Sequence, residues 1–316
     1  MQEIQNKKEF QHSDDQIDLK EIFFLIIQGK KLIILFTAFL SVIGITYSLL
    51  LPNIYESKAL LSSVESSSSD ISGGLGNLGG LAGFAGIDLS IGNKGSNSKK
   101  ALETIGSLSF FEKNIMPKIF LPDLMAIKKW KNETNSIIYD DNIFDINSNT
   151  WVRDFSFPSK LVPSAQESYE VFVDDHLKIS EDAETGFITL SIKHQSPYLA
   201  KQWVELIVKE INTFYRQKDK SVSEKAVDYL NDQMAMTRLS EMTKVIAELS
   251  QQEIQKLTLI EAKEAYVFDY IYPPSVMEKN SEPRRSLIFI LSVLIGVTLS
   301  VLFVLIRHYV FNKKNS

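Results

Sequence analysis

Two uncharged apolar runs decide most of what this chain can become. Leu32 to Leu51 is 20 residues without a charged side chain, and Ser286 to Ile306 is 21 more. At about 1.5 Å per residue each run reaches across the roughly 30 Å of a bilayer's hydrocarbon core. The runs lie near the two ends of a 316-residue chain, and together they exclude a freely soluble enzyme. Average composition hides this, since 44% hydrophobic and 23% charged residues would describe an ordinary soluble domain.

The flanks set the expected orientation. Lys7, Lys8, Lys20, Lys30 and Lys31 precede the first run, and Arg307, Lys313 and Lys314 follow the second without an acid among them. By the Lys/Arg rule both ends are cytoplasmic, which two spans make self-consistent. Residues 1–31 are polar and acidic rather than a short basic leader, so the first run reads as an uncleaved anchor. The domain plan is a cytoplasmic segment over 1–31, a span over 32–51, an outer domain over 52–285, a span over 286–306 and a cytoplasmic tail over 307–316. The outer domain carries net charge −7 within a chain of net −5. Arg284 and Arg285 oppose the charge rule, because they stand at the outer mouth of the second span. Arginine snorkels to headgroups at either interface.

Zero cysteine excludes a disulfide framework, a thiolate metal site and a cysteine nucleophile. Along the chain, Asp18 to Gln28 has helix signals: Asp18 and Glu21 stand in capping-box spacing, with Ile22, Phe23, Ile26 and Ile27 for an apolar face. Ile54 to Val64 reads as a strand. Residues 66–98 then hold nine of the 14 glycines, with Leu75, Leu78, Leu81, Phe84 and Ile87 spaced among them, and read as a flexible surface loop. Lys99 to Ile115 is expected to be helical, while 121–163 resists assignment. Ser164 and Glu167 open another helix; Leu177–Ser180 and Phe187–Lys193 form two strands around a turn at Gly186, with Ile188, Leu190 and Ile192 on one face.

Ser196 and Pro197 then provide a cap and a proline at the first helical position. From Tyr198 to Tyr272 there is neither proline nor glycine, and Leu199, Trp203, Ile207, Ile211 and Phe214 recur at helical spacing, as do Leu239, Met242, Ile246 and Leu249. The pattern predicts a long helical region over 197–272, with Ser221 and Glu224 marking a break near residue 220. One long helix of this kind cannot bury its stripe inside one compact domain, so neighbouring subunits are expected to cover it.

Chemical motifs are scarce. Of four histidines, His12 and His308 fall in the cytoplasmic flanks, which leaves Asp174, Asp175 and His176 as the tight acid/base cluster. No second histidine or serine motif accompanies it in the sequence, so these read as solvated residues at a helix end. No phosphate-binding loop occurs anywhere in the chain. Within the spans, Gly44 and Ser48 lie four apart, and Ser292, Gly296 and Ser300 fall at i, i+4 and i+8. Such small-residue stripes allow close helix contact in lipid, or arise by accident in a glycine-tolerant membrane helix.

These features resemble the bacterial polysaccharide chain-length determinants, or polysaccharide co-polymerases. The resemblance spans nearly the whole chain. It rests on Asp15-Gln16-Ile17-Asp18-Leu19 with Gly29-Lys30 before the first span, and on Pro52, Tyr55 and Ala59 just after it. Ser196-Pro197-Tyr198-Leu199-Ala200-Lys201-Gln202-Trp203 is similar to the family's helix opening, and Pro274, Ser281, Pro283, Arg284 and Arg285 to its approach to the second span. Met277 stands where the family commonly has another proline, which implies a different local turn there. With ten residues after Ile306 and no phosphate loop, the chain looks like the kinase-free, two-span type.

The resemblance implies an α+β membrane protein of the bacterial inner membrane, with two transmembrane helices bracketing a periplasmic α/β base domain that carries a long extended helix. It implies a non-enzymatic regulator of surface polysaccharide chain length, such as the O-antigen of lipopolysaccharide. Its partners would be copies of itself, a membrane polymerase and polyprenyl-linked glycan, with no cofactor, metal or nucleic acid. Pro283, Arg284 and Arg285 then become candidates for contact with headgroups or carrier-lipid phosphates. Gly44, Ser48, Ser292, Gly296 and Ser300 become candidates for transmembrane packing. The competing readings are a two-span sensor, which needs a cytoplasmic output module, and a membrane-anchored glycan hydrolase, which would rest on Asp174, Asp175 and His176.

Overall fold

The computed structural model describes residues 19–64 and 96–307. In chain order the elements are α1 (Leu19–Gln28), α2 (Lys30–Leu50), β1 (Tyr55–Ser63), α3 (Ser96–Ile105), α4 (Leu121–Met125), β2 (Ile127–Lys131), β3 (Ser136–Tyr139), β4 (Phe144–Asp145), β5 (Thr150–Trp151), α5 (Ala165–Val171), β6 (Leu177–Glu181), β7 (Ile188–His194), α6 (Pro197–Met236), α7 (Ser240–Ala262), β8 (Phe268–Tyr272) and α8 (Arg285–Ile306). Most of the glycine-rich stretch at 66–98, the Asp15–Asp18 signature, and His12, His308, Lys313 and Lys314 lie outside the described residues.

The chain divides into two compact units. One is formed by the described parts of 1–52 and 282–316, the other by Asn53–Ser281. In the first, α2 and α8 are long and apolar enough to cross a membrane. They pack on each other antiparallel, for Gly29 meets Val304, Thr37 meets Gly296 and Gly44 meets Ser292. The phenyl rings of Phe36 and Phe303 stack along the same seam, 6.2 Å apart and nearly parallel.

The second unit is built on a four-stranded antiparallel sheet in the order β6-β7-β1-β8. Tyr55 lies opposite His194 and Ala59 opposite Leu190, which turns the alternate residues of β1 and β7 toward a common core. Gly186 has φ of +68°, the left-handed conformation that the turn between β6 and β7 requires and glycine adopts without strain. The N-terminal half of α6 lies across β1 and β7, burying Trp203, Val204, Ile207, Val208 and Ile211 with Ala59, Leu61, Leu190 and Ile192. Ser196 caps this helix by accepting from the Leu199 N–H, and Pro197 fills its first position, where no N–H is needed. Phe110, Phe111, Ile115 and Phe172 complete the core; Phe111 and Phe172 sit 5.0 Å apart.

Residues 121–163, opaque in the sequence, form two short hairpins. Asn135 and Asn149 take positive φ at their turns, which asparagine tolerates better than most residues. Asp145 accepts from the Asn147 N–H and the Ser148 hydroxyl. Tyr139, Phe144, Trp151 and Phe120 join the hairpins edge to face.

The helical region expected over 197–272 differs in two respects. Helix α6 runs unbroken through residue 220 and stops at Met236, and the chain then turns back through Thr237 and Leu239, both in extended conformation. The Thr237 hydroxyl donates to the Gln233 carbonyl, so a side chain takes up one of the last helical acceptors. Helix α7 returns along α6, with Lys220 paired to Glu261 and Arg216 donating to the carbonyls of Lys263 and Glu264. The element is therefore a hairpin about 60 Å long, from 40 residues at about 1.5 Å each, and not one rod. Its last part, Phe268–Tyr272, is strand β8, as suits a run of aromatic and β-branched residues.

Candidate functional site

The segment that carries Pro283, Arg284 and Arg285 follows a tether within the second unit. Ser281 donates to the Ile54 carbonyl through both its backbone N–H and its hydroxyl, at 2.8 and 3.0 Å, and the Ser57 hydroxyl donates to Ser275 O at 2.9 Å. The two ends of the second unit are thereby held side by side. Pro274 is buried, while Met277 is exposed, its sulfur 3.6 Å from the Ser275 hydroxyl. In the first unit, Pro283 O accepts from the Arg285 N–H, and Arg284 O accepts from the N–H groups of Leu287 and Ile288. Arg284 thus stands at the cap position of α8 and Arg285 at its first residue, both with exposed side chains.

The five small span residues share one seam. A β-carbon on Gly44 would stand 2.6 Å from Ser292 Cβ, and one on Gly296 would stand 3.2 Å from Thr37 Cα. Ser48 and Ser300 are buried. Ser292 and Ser300 donate to their own helix, to Phe289 O and Val297 O at 2.8 Å each, so close approach of backbones rather than a bond across the pair explains their place. Gly29 belongs to the same seam, since its β-carbon would stand 2.9 Å from Val304 Cγ1; no spacing in the sequence joins it to Gly44 and Gly296.

Asp174, Asp175 and His176 do not converge. The two aspartates are exposed, whereas His176 turns inward, its Nδ1–H donating to the Lys193 carbonyl at 2.6 Å. Contrary to the sequence reading, a second histidine does accompany it: the His194 ring lies 5.5 Å away and is buried. Trp203 meets both rings edge to face, at 5.5 and 4.9 Å. The alternation Ile188, Leu190, Ile192 runs on to His194, so the inward face was readable by carrying that pattern one step further. Burial pushes both histidines below the ordinary imidazole range, His194 to about 4, with the neighbouring His176 adding to the effect there. Among the described residues no group of three or more histidine or carboxylate side chains could hold a metal ion.

Residues 15–109 match the family model described as Wzz, chain length determinant protein. No curated protein matches the chain. Among solved structures, a full-length bacterial polysaccharide co-polymerase superposes with a TM-score of 0.40 at 14% identity, covering 93% of this chain and 99% of that one. A fragment of WzzB, the polysaccharide co-polymerase of Salmonella Typhimurium, gives a TM-score of 0.29 at 12% identity, covering 73% of this chain and all of the fragment. At these TM-scores neither likeness carries an argument, and the similarity is that of the N-terminal residues. Residues 15–109 include α1, α2, β1 and α3, so the similarity to the Wzz chain length determinant proteins covers the first apolar helix pair and the strand that follows it.

Proposed function

We propose that the protein sets the chain length of a surface polysaccharide without itself being an enzyme, as an oligomer working beside a membrane polymerase. The observation that carries this reading is the family match over 15–109, the stretch that includes the first span and the strand at the centre of the sheet. The antiparallel pairing of α2 and α8 supports an arrangement in the bacterial inner membrane with both termini cytoplasmic and the unit Asn53–Ser281 outside.

Arg284 and Arg285 open α8, where exposed guanidinium groups suit the phosphates of a polyprenyl carrier or of lipid headgroups. Pro283, just before them, fixes where the helix begins. Deleting the gene and separating the surface glycan by gel tests the main reading. Loss of a modal band with polymer still present supports length control; loss of all polymer indicates synthesis or export, and an unaltered ladder rejects the proposal. Replacing Arg284 and Arg285 together by glutamine is expected to shift the ladder at unchanged protein level and membrane insertion. An unchanged ladder in that variant rejects the arginine role alone.

A further inference from the structure

We propose that His194, with His176 beside it, is an acid-released latch that holds the start of α6 to the sheet. His194 ends β7 and ties together three elements. Its Nδ1 accepts from the Ser196 N–H at 2.9 Å, and its Nε2 faces the Asp123 carbonyl of α4 at 3.0 Å. A ring nitrogen that accepts from an amide carries no hydrogen, so the one proton of the neutral ring sits on Nε2 and is donated to Asp123. Ser196 is the cap of α6: its hydroxyl accepts from the Leu199 N–H and its carbonyl from the Ala200 N–H. The neutral imidazole thus fixes the residue from which the 40-residue helix starts.

A second proton on His194 must go to Nδ1, where the Ser196 N–H already points. Two donors then face each other, and the bond to the helix cap is lost while the bond to Asp123 survives. His176 behaves differently, because its Nδ1–H donates to Lys193 O in either charge state and a further proton goes to the other nitrogen. With ring centroids 5.5 Å apart, two imidazolium ions would repel in a site that excludes water.

The charged and titratable groups around the pair come from four elements. Asp175 lies beside His176 and favours its charged form. Asp123 is on α4, Tyr55 lies opposite His194 on β1, and Lys193 precedes it on β7. The Asp123 carboxylate accepts from the Tyr139 hydroxyl at 2.6 Å, and burial raises its own proton affinity, so the negative charge able to shelter an imidazolium is itself drawn down by acid.

The sign follows from burial. Free imidazole takes its proton near pH 6.5, whereas closed His194 resists it until about 4. Above about pH 6.5 the latch is indifferent to pH; between there and 4 the open form gains protons that the closed form refuses, and opening becomes progressively easier. About four turns further along α6, at 3.6 residues per turn, Asn212 clamps residues 266–268 with an amide that does not titrate, which confines the release to the beginning of the helix.

Hydrogen exchange by mass spectrometry on the full chain in nanodiscs tests this, with rates corrected for the intrinsic effect of pH. The peptide covering 195–204 is expected to lose at least tenfold in protection between pH 6.5 and 4.5, while peptides around Asn212 keep theirs. In His194→Gln and His194→Asn, which keep amide hydrogen bonding but cannot charge, the loss is expected to stay below about threefold. Unchanged protection in the wild-type chain, an equal loss in every peptide, or the full loss in the two variants would each overturn the latch. The wild-type measurement decides the matter even where a variant does not fold.

Discussion

Gly44 and Ser292 approach so closely that the two helices have no room for a second β-carbon between them: one built on Gly44 stands 2.6 Å from Ser292 Cβ and 2.7 Å from its hydroxyl. The hydroxyl can turn away, but Ser292 Cβ is fixed to its backbone, so one helix must move. Gly44→Ala is expected to loosen the pair by about 1–3 kcal/mol, the usual cost of forcing extra atoms into a packed contact. Ser292→Gly in the same chain removes the opposing atoms and is expected to restore most of it. Since the chain has no native cysteine, disulfide trapping of Thr37→Cys with Gly296→Cys reads the separation directly. Equal trapping in the presence and absence of Gly44→Ala would show the contact to be slack.

Asn212 on α6 is the second residue with a disproportionate structural effect. Its Oδ1 accepts from the N–H groups of Tyr266, Val267 and Phe268 at 3.3, 2.7 and 3.0 Å, and its Nδ2 donates to Phe268 O at 2.8 Å. Those bonds seat the chain as it leaves α7 and enters β8. Asn212→Ala strands buried backbone donors, and at about 1–3 kcal/mol for each group left unsatisfied the expected loss is about 2–4 kcal/mol. Urea unfolding followed by circular dichroism measures it. Asn212→Asp keeps the acceptor but loses the donor to Phe268, and should fall between the wild type and alanine.

These two residues show where the sequence was legible. Gly44, Gly296 and Ser300 stand at a four-residue period inside uncharged runs, and the two apolar helices needed nothing beyond length and composition. The strands around Gly186 and the cap at Ser196 were also local signals. Asn212 gave none, because its four partners lie 54 to 56 residues away and no spacing rule marks an amide that captures a distant strand. The reversal at Thr237–Leu239 was hidden for a related reason: it uses neither glycine nor proline, and only packing of α7 against α6 chooses it over a continued helix. His194 falls between these cases, since its inward direction was readable but the proximity of His176 was not.

Glu210 lies in the core face of α6 with only 4% exposure, and Lys118 supplies its ion-pair partner. Lys118 is 48% exposed, so the pair is only partly buried. Removing Lys118 leaves the buried Glu210 carboxylate without its donor, at a cost of about 1–3 kcal/mol, whereas replacing both by apolar groups is often neutral. Lys118→Met is therefore expected to destabilise the unit Asn53–Ser281, and Lys118→Met with Glu210→Leu to recover most of the loss. Thermal unfolding of the two variants separates them; equal melting temperatures would show that Lys118 does not serve Glu210.

Arg153 braces an exposed apolar loop. It donates to the Leu161 and Lys160 carbonyls at 3.0 and 2.6 Å and pairs with both carboxylate oxygens of Glu167. Phe157, in that loop, is 96% exposed, so the loop is held by polar groups rather than by burial. The hydrogen bonds from Arg153 hold the Glu167 carboxyl below its ordinary value of 4.5. The brace is accordingly complete above that pH and is lost as pH falls through the lowered value. Arg153→Ala should speed chymotryptic cleavage after Phe155 at pH 8 by about five- to tenfold, the order expected for about 1 kcal/mol of lost restraint. Glu167→Gln imitates the protonated acid and should give a smaller acceleration. No change in either variant would mean that the loop holds its shape without Arg153.

The hairpin of α6 and α7 exposes a surface that its own unit, Asn53–Ser281, does not cover. Val222, Tyr229 and Met236 recur at steps of seven on α6, with Met236 75% exposed, and Met242, Val245 and Leu249 follow at steps of three and four on α7. Apolar residues at such spacing gain about 1.5–3 kcal/mol each when fully buried, and within one copy of the chain they forgo it. An assembly in which neighbouring copies cover these stripes accounts for their composition, as the oligomeric reading requires. Tyr229→Glu with Val245→Glu places charges on that surface without touching the buried core. Native mass spectrometry from nanodiscs is then expected to show smaller assemblies than the wild type, with helical content unchanged by circular dichroism. Assemblies of the same mass in both would exclude these stripes as the contact between copies.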